Sequence, residues 1–155
     1  MEKNRPIHLQ EVICSSRDAK ISKQIAKLVY SGVIRKIAPR VYSSNLDEPI
    51  EGIIRRNLFK ILGTIYPGTM LSHRSAFEFQ PTKTGQIFLT TTYTKKVKLP
   101  GITIQFLSGP PPIEGDNKFS GELSASQKAR AFLENLQATK KLGSESKCLS
   151  LPEIE

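Results

Sequence analysis

Ile21, Ile25, Leu28 and Val29 recur at i, i+4, i+7 and i+8, the spacing of one apolar stripe on a short helix. Ser22 is placed to cap that helix, and Gly32 to end it in a left-handed residue. Val33–Ile37 and Val41–Ser43 then read as two short strands joined at Ala38-Pro39-Arg40. A helix followed at once by a small hairpin is the second half of a winged helix-turn-helix. Little chain precedes it. Ile7, Leu9, Val12 and Ile13 supply a short strand or one helical turn, with Ser16 or Asp18 as a further capping residue, so the module is expected in reduced form.

The pattern beyond it predicts a second unit. Asp47-Glu48-Pro49 opens a helix in which Ile50, Ile53, Ile54, Leu58, Ile61, Leu62 and Ile65 keep helical spacing until Tyr66-Pro67-Gly68. Ser72 is placed to cap a two-turn helix carrying His73, Arg74 and Glu78. From Gln86 the period changes to two. Residues 86–92, 97–99 and 102–106 read as an antiparallel meander resting one face on the Ile50–Tyr66 helix. Ser108–Gly121 has no periodicity and reads as a wrapping loop. Ser124 opens a last helix with Ala125, Ala129, Phe132, Leu133 and Leu136 along one side. The expected class is α+β: a reduced winged helix-turn-helix over residues 1–46, a helix-backed antiparallel sheet domain over 47–137, and a polar linker or tail over 138–155.

Charge changes the picture most. The 155 residues carry a formal net charge of +9, and the excess is uneven: residues 1–106 hold 17 Lys/Arg against 7 Asp/Glu. No Asp or Glu occurs from Ala19 to Leu46, whereas Lys20, Lys23, Lys27, Arg35, Lys36 and Arg40 do. Helix and hairpin together predict one positive surface suited to the phosphates of double-stranded DNA. In that reading the lysines and arginines set affinity, and Gln24, which both donates and accepts, reads a base. One short helix contacts few bases, so a homodimer is the expected reader. Lys95, Lys96 and Lys98 fall elsewhere, where they guard a sheet edge against pairing with other chains.

Other chemistry is weakly signalled. His8 and His73 have no metal-ligand or triad partner by spacing, and the Gly/Pro-rich loop lacks a phosphate-cradling glycine pattern. Catalysis, a metal and a cofactor are therefore not expected. Cys14 and Cys148 form neither a disulfide framework nor a zinc spacing, which points to a reducing cytoplasm. No apolar run approaches the length of a membrane span, so no membrane partner is expected.

ISKQIAKLVYSGVIRKIAPRVY, then YPGTMLSHRSAFEF, then LPGITIQF, together resemble the AbiEi-type antitoxin and transcriptional regulator family. The continuation GPPPIEGDNKF to SASQKARAFLENLQ resembles the region ahead of the catalytic domain in certain bacterial Fic-family proteins. The Fic signature itself, His-Pro-Phe with a Gly-Asn-Gly-Arg turn, is absent. The resemblance implies a DNA-binding regulator of the antitoxin type, acting on its own operon or on a toxin-like enzyme. The alternative it leaves open is a non-catalytic module that positions or restrains a Fic-type AMP-transferase without binding DNA.

Overall fold

The computed structural model describes residues 6–120, 123–136 and 146–154. It has mixed α+β architecture with two sheets. After a 3-10 turn at Ile7–Leu9 come β1 (Val12–Cys14), α1 (Ala19–Tyr30), β2 (Arg35–Ala38) and β3 (Val41–Ser43). The three strands form an antiparallel sheet in the order β1-β3-β2. Helix α1 starts earlier than Ser22. Asp18 is its cap, accepting from the Lys20 N–H at 2.8 Å, and the Ser22 hydroxyl instead donates back to the Ser16 carbonyl. Gly32 (φ +73°) ends the helix as expected.

Period-two alternation gives this small sheet two apolar faces. Ile13 and Ile34 meet Ile25 of α1, with Ile21, Leu28 and Tyr42 packed around them. Val12, Ile37, Ala38 and Val41 point the other way and join the main core. That core therefore runs through the boundary expected after residue 46, and α1 is held by a sheet that is itself anchored to the rest of the chain.

The predicted Ile50–Tyr66 helix is two helices, α2 (Ile50–Arg56) and α3 (Leu58–Ile65). Asn57 separates them because its side-chain amide donates both to the Ile53 carbonyl at 2.9 Å and to Glu11 at 2.8 Å. A side chain that bonds its own helix at i−4 competes with the ladder there. Ile53, Ile54, Leu58, Ile61 and Leu62 are all buried, so the apolar spacing is used as predicted.

Next come β4 (Met70–Leu71), α4 (Ser75–Glu78), β5 (Gln86–Thr91), β6 (Lys95–Leu99), β7 (Ile102–Ser108), β8 (Asn117–Ser120), β9 (Leu123–Ala125), α5 (Lys128–Asn135) and α6 (Leu151–Ile154). Strands β4 to β9 form one six-stranded sheet, ordered β6-β7-β5-β4-β9-β8. It is mixed, which corrects the antiparallel meander: β5 pairs with β7 in parallel, and β4 pairs with β9 in parallel. The cause lies in the side chains. Strand β7 buries Ile102, Ile104 and Phe106 and takes an interior place, while lysine-rich β6 is left at the edge.

Further expectations change. The two-turn helix after Ser72 is the single turn α4. The Gly/Pro-rich stretch contributes an edge strand, β8. Ser124 lies in strand β9, whose Leu123 and Ala125 are buried beside β4, and α5 begins only at Lys128. Helix α5 is also rotated relative to its apolar side: Ala131, Glu134 and Asn135 are buried, whereas Phe132, Leu133 and Leu136 are exposed. Of the expected polar linker, residues 146–149 are packed against the body. The Ser146 and Lys147 carbonyls accept from Arg74, and the Leu149 N–H donates to Asn135 at 2.6 Å. Residues 138–145 lie outside the described part. No helix among the described residues is long and apolar enough to cross a membrane.

Candidate nucleic-acid interface and a buried polar cluster

With Ile21, Ile25 and Leu28 turned to the sheet, α1 presents its remaining residues to solvent. Lys20, Lys23, Gln24 and Lys27 are all exposed. At 3.6 residues per turn, the three lysines lie within about 60° of one another around the axis, with Gln24 flanking Lys20. Tyr30, seven residues after Lys23 on the same stripe, is 95 % exposed. It places an aromatic ring among the lysines, a feature that an apolar reading of the helix overlooks.

The other predicted basic residues do not share that stripe. Lys36, exposed on β2, lies across a groove of 460 Å³ that is also lined by Ser15, Ser22, Ala26, Val29 and Tyr42. Arg40 is exposed at the β2–β3 turn, where it has φ +65°, and its Nε donates to Ser15 at 3.3 Å. Lys36 and Arg40 thus flank the groove on the hairpin side. Arg35 stands apart from these. It is half-buried, its Nε donates to the Asn45 carbonyl at 3.0 Å, and its guanidinium also bonds the Glu48 carbonyl. Its donors tie β2 to the chain entering α2, so it is a strut within the fold.

A second tie holds the same region. Glu11, just before β1, bonds Arg56 of α2 and also accepts from the Asn57 amide. These bonds, Arg56 first, hold its carboxyl down to about 2 from an ordinary value of 4.5. Glu48 also bonds Arg56, at 3.0 Å. The Arg56 guanidinium is therefore occupied by acids and does not extend the positive surface.

The structure also assembles a site that spacing did not reveal. Ser72, His73, Arg74 and Ser75 follow β4 and are all buried. His73 has φ +52°, and its backbone N–H donates to Glu134 of α5 at 2.9 Å. Glu134 also accepts from the Ser126 hydroxyl at 3.1 Å and from Arg130 at 3.3 Å. Arg130 in turn meets the Asp116 carboxylate at 2.7 Å. Burial pushes the Asp116 carboxyl up, but the Ile113 and Gln127 N–H groups and Arg130 outweigh it and hold it below its ordinary value. The His73 ring lies 3.0 Å from the Ser72 hydroxyl through Nδ1. Arg74 pairs with Glu78 and bonds the Ser146 carbonyl at 3.0 Å. The partners lie far apart in sequence, which is why spacing could not show them. Among the described residues no cluster of His, Cys, Asp and Glu has the makings of a metal site.

Comparison of the chain with protein-family models, curated proteins and solved structures yields no match.

Proposed function

We propose that the chain is a DNA-binding regulator of the antitoxin type, in which α1 is the recognition helix and the β2–β3 hairpin is the wing of a reduced winged helix. The observation that carries this reading is the common outward face of Lys20, Lys23, Gln24 and Lys27 on a helix whose other face is pinned to a sheet. Phosphate contacts from the lysines would set affinity and register, with Lys36 and Arg40 touching the backbone from the hairpin side. Gln24 suits adenine recognition in the major groove. Regulation would then fall on the chain's own operon or on a toxin-like enzyme. The test is a titration at low salt with the DNA upstream of its own gene and with unrelated DNA. The expected result is binding to both, tighter to the former; binding to neither removes the proposal.

A second reading is favoured by α5. Phe132, Leu133 and Leu136 expose an apolar side on a helix that buries Glu134 and Asn135. An interaction module that restrains a Fic-type AMP-transferase would use such a surface without contacting DNA. Absence of DNA binding by the wild-type chain, with enzyme restraint lost after Leu133→Asp, would favour this reading.

A further inference from the structure

We infer that the groove between α1 and the hairpin sheet stacks an unpaired nucleobase, so that the lysine face takes single-stranded nucleic acid. The inference rests on the reading that α1 contacts phosphates, and adds a base-binding slot to it. The groove has a volume of 460 Å³, with Ser22, Ala26, Val29 and Tyr30 of α1 on one bank and Lys36 and Tyr42 on the other. That volume falls within the roughly 300–1,000 Å³ of small-molecule sites and holds one base with its sugar.

Helical spacing divides α1 into three faces. Ile21, Ile25 and Leu28 pack on the sheet, and Lys20, Lys23 and Lys27 face solvent on the far side. Ser22, Ala26 and Val29 fall between these two faces and look into the groove. Ser22 and Ala26 are small, so this wall of the slot is flat. Tyr30, 95 % exposed, stands where the slot meets the lysine stripe. Across the slot, Tyr42 of β3 lies directly opposite Lys36 of β2 in antiparallel register, which puts ring and ammonium on one face of the sheet.

Charge and shape together select the occupant. The lining holds one charged residue, Lys36, and no acid. No Asp or Glu occurs from Ala19 to Leu46, and Asp18 caps the end of α1 remote from Tyr30. Glu11 and Glu48 lie against Arg56 of α2. Lysines therefore stand on both banks, Lys23 and Lys27 on α1 and Lys36 on β2, and a strand with its phosphates there lies with its bases over the slot. Aromatic rings interleaved with cations are the stacking platform of single-strand binding, tolerant of sequence because every base has a π-face. A duplex keeps its bases stacked on each other, so only an unpaired base can use Tyr30 and Tyr42. The polar atoms suit any base edge. The Ser15 hydroxyl accepts from Arg40 and keeps its proton to donate, whereas the Ser22 hydroxyl donates to the Ser16 carbonyl and keeps lone pairs to accept. An acidic peptide matches the charge but brings bulky, branched side chains to a slot whose α1 wall is flat.

The experiment is fluorescence anisotropy of the full chain at low salt with three labelled probes: a short oligothymidylate, an abasic strand of the same length, and a duplex of the same length. The oligothymidylate should bind about tenfold more tightly than the abasic strand, which carries the same phosphates without bases. Tyr30→Ala, at a position too exposed to matter to folding, should lower oligothymidylate affinity about tenfold and change the other two far less; Tyr30→Phe should restore it. Ala26→Leu, which narrows the slot, should weaken the oligothymidylate alone, and Lys23→Ala/Lys27→Ala should weaken all three. Equal binding of oligothymidylate and abasic strand, or no effect of Tyr30→Ala, would overturn the inference and leave phosphate contact by α1 standing. Binding to no probe would overturn both, and binding to the strand without the duplex would remove the duplex reading alone. A labelled Glu/Phe peptide that binds more tightly than the oligothymidylate, and is lost in Tyr30→Ala, would assign the groove to an acidic protein partner instead. A dimer in sedimentation that Tyr30→Ala dissociates would assign it to a second copy of the chain, and either outcome overturns the inference.

Discussion

Glu134 accepts the backbone N–H of His73 at 2.9 Å across 61 positions of sequence. One carboxylate thereby joins α5 to the turn after β4 and, through Arg130, to Asp116 just before β8. Removing one partner of a buried charge network leaves the others uncompensated. Glu134→Ala should lower unfolding stability by about 3 kcal/mol. Glu134→Gln keeps an acceptor for His73 and should lose less than half of that. Urea unfolding of both variants checks the order, and equal losses would show that the backbone bond to His73 contributes nothing.

The Glu11–Arg56 tie predicts a pH dependence with a definite sign. The folded Glu11 carboxyl is held down to about 2 from an ordinary value of 4.5. Its contribution is therefore fully present above 4.5 and is lost as the pH falls toward 2. Wild type should exceed Glu11→Gln in urea midpoint at pH 6, and the gap should close between pH 4.5 and 2. A gap that widens on acidification would contradict the assignment.

Arg35 and Lys23 should separate in their effects, although both looked alike as positive charges. Arg35→Ala removes two carbonyl contacts and should destabilise the fold by about 1–3 kcal/mol, with little change in DNA affinity per folded molecule. Lys23→Ala should leave stability nearly unchanged and make the log–log salt slope shallower by about one unit, from roughly −4 to −5 for four to six phosphates. Lys95→Ala and Lys98→Ala, on the edge strand, serve as controls. Gln24→Ala should narrow the gap between operator and random DNA at unchanged slope.

Gly85 and Gly101 meet where the turns before β5 and β7 come together. A Cβ on Gly85 would lie 2.2 Å from the Gly101 carbonyl oxygen, and Gly85 itself has φ +81°. Gly85→Ala should cost about 3 kcal/mol or more, since steric overlap with backbone adds to the left-handed penalty. Gly68→Ala has the same sign of φ (+78°) but open space around it, and should cost about 1 kcal/mol. Thermal or urea unfolding of the pair separates strain from collision.

The apolar spacing by itself determined the α+β class, the inward face of α1, the stop at Gly32 and the buried positions of α2 and α3. Each of these is a local property: a 3.6- or 2-residue period and a residue's tolerance of positive φ. Tertiary structure decided everything that depended on a distant competitor. Asn57 interrupts a helix whose spacing was continuous, its side-chain amide shared between the Ile53 carbonyl and the distant Glu11. Strand β7 displaced β6 from the sheet interior because a strand carrying Lys95, Lys96 and Lys98 is better solvated at an edge. Helix α5 turned its apolar side outward because Glu134 had Ser126, Arg130 and the His73 N–H to satisfy, and a buried carboxylate with three donors outweighs three leucine-sized contacts. The polar cluster around His73 belongs to this second class. Its members come from the turn after β4, Asp116, Ser126, α5 and Ser146, and no period along one segment encodes a meeting of five.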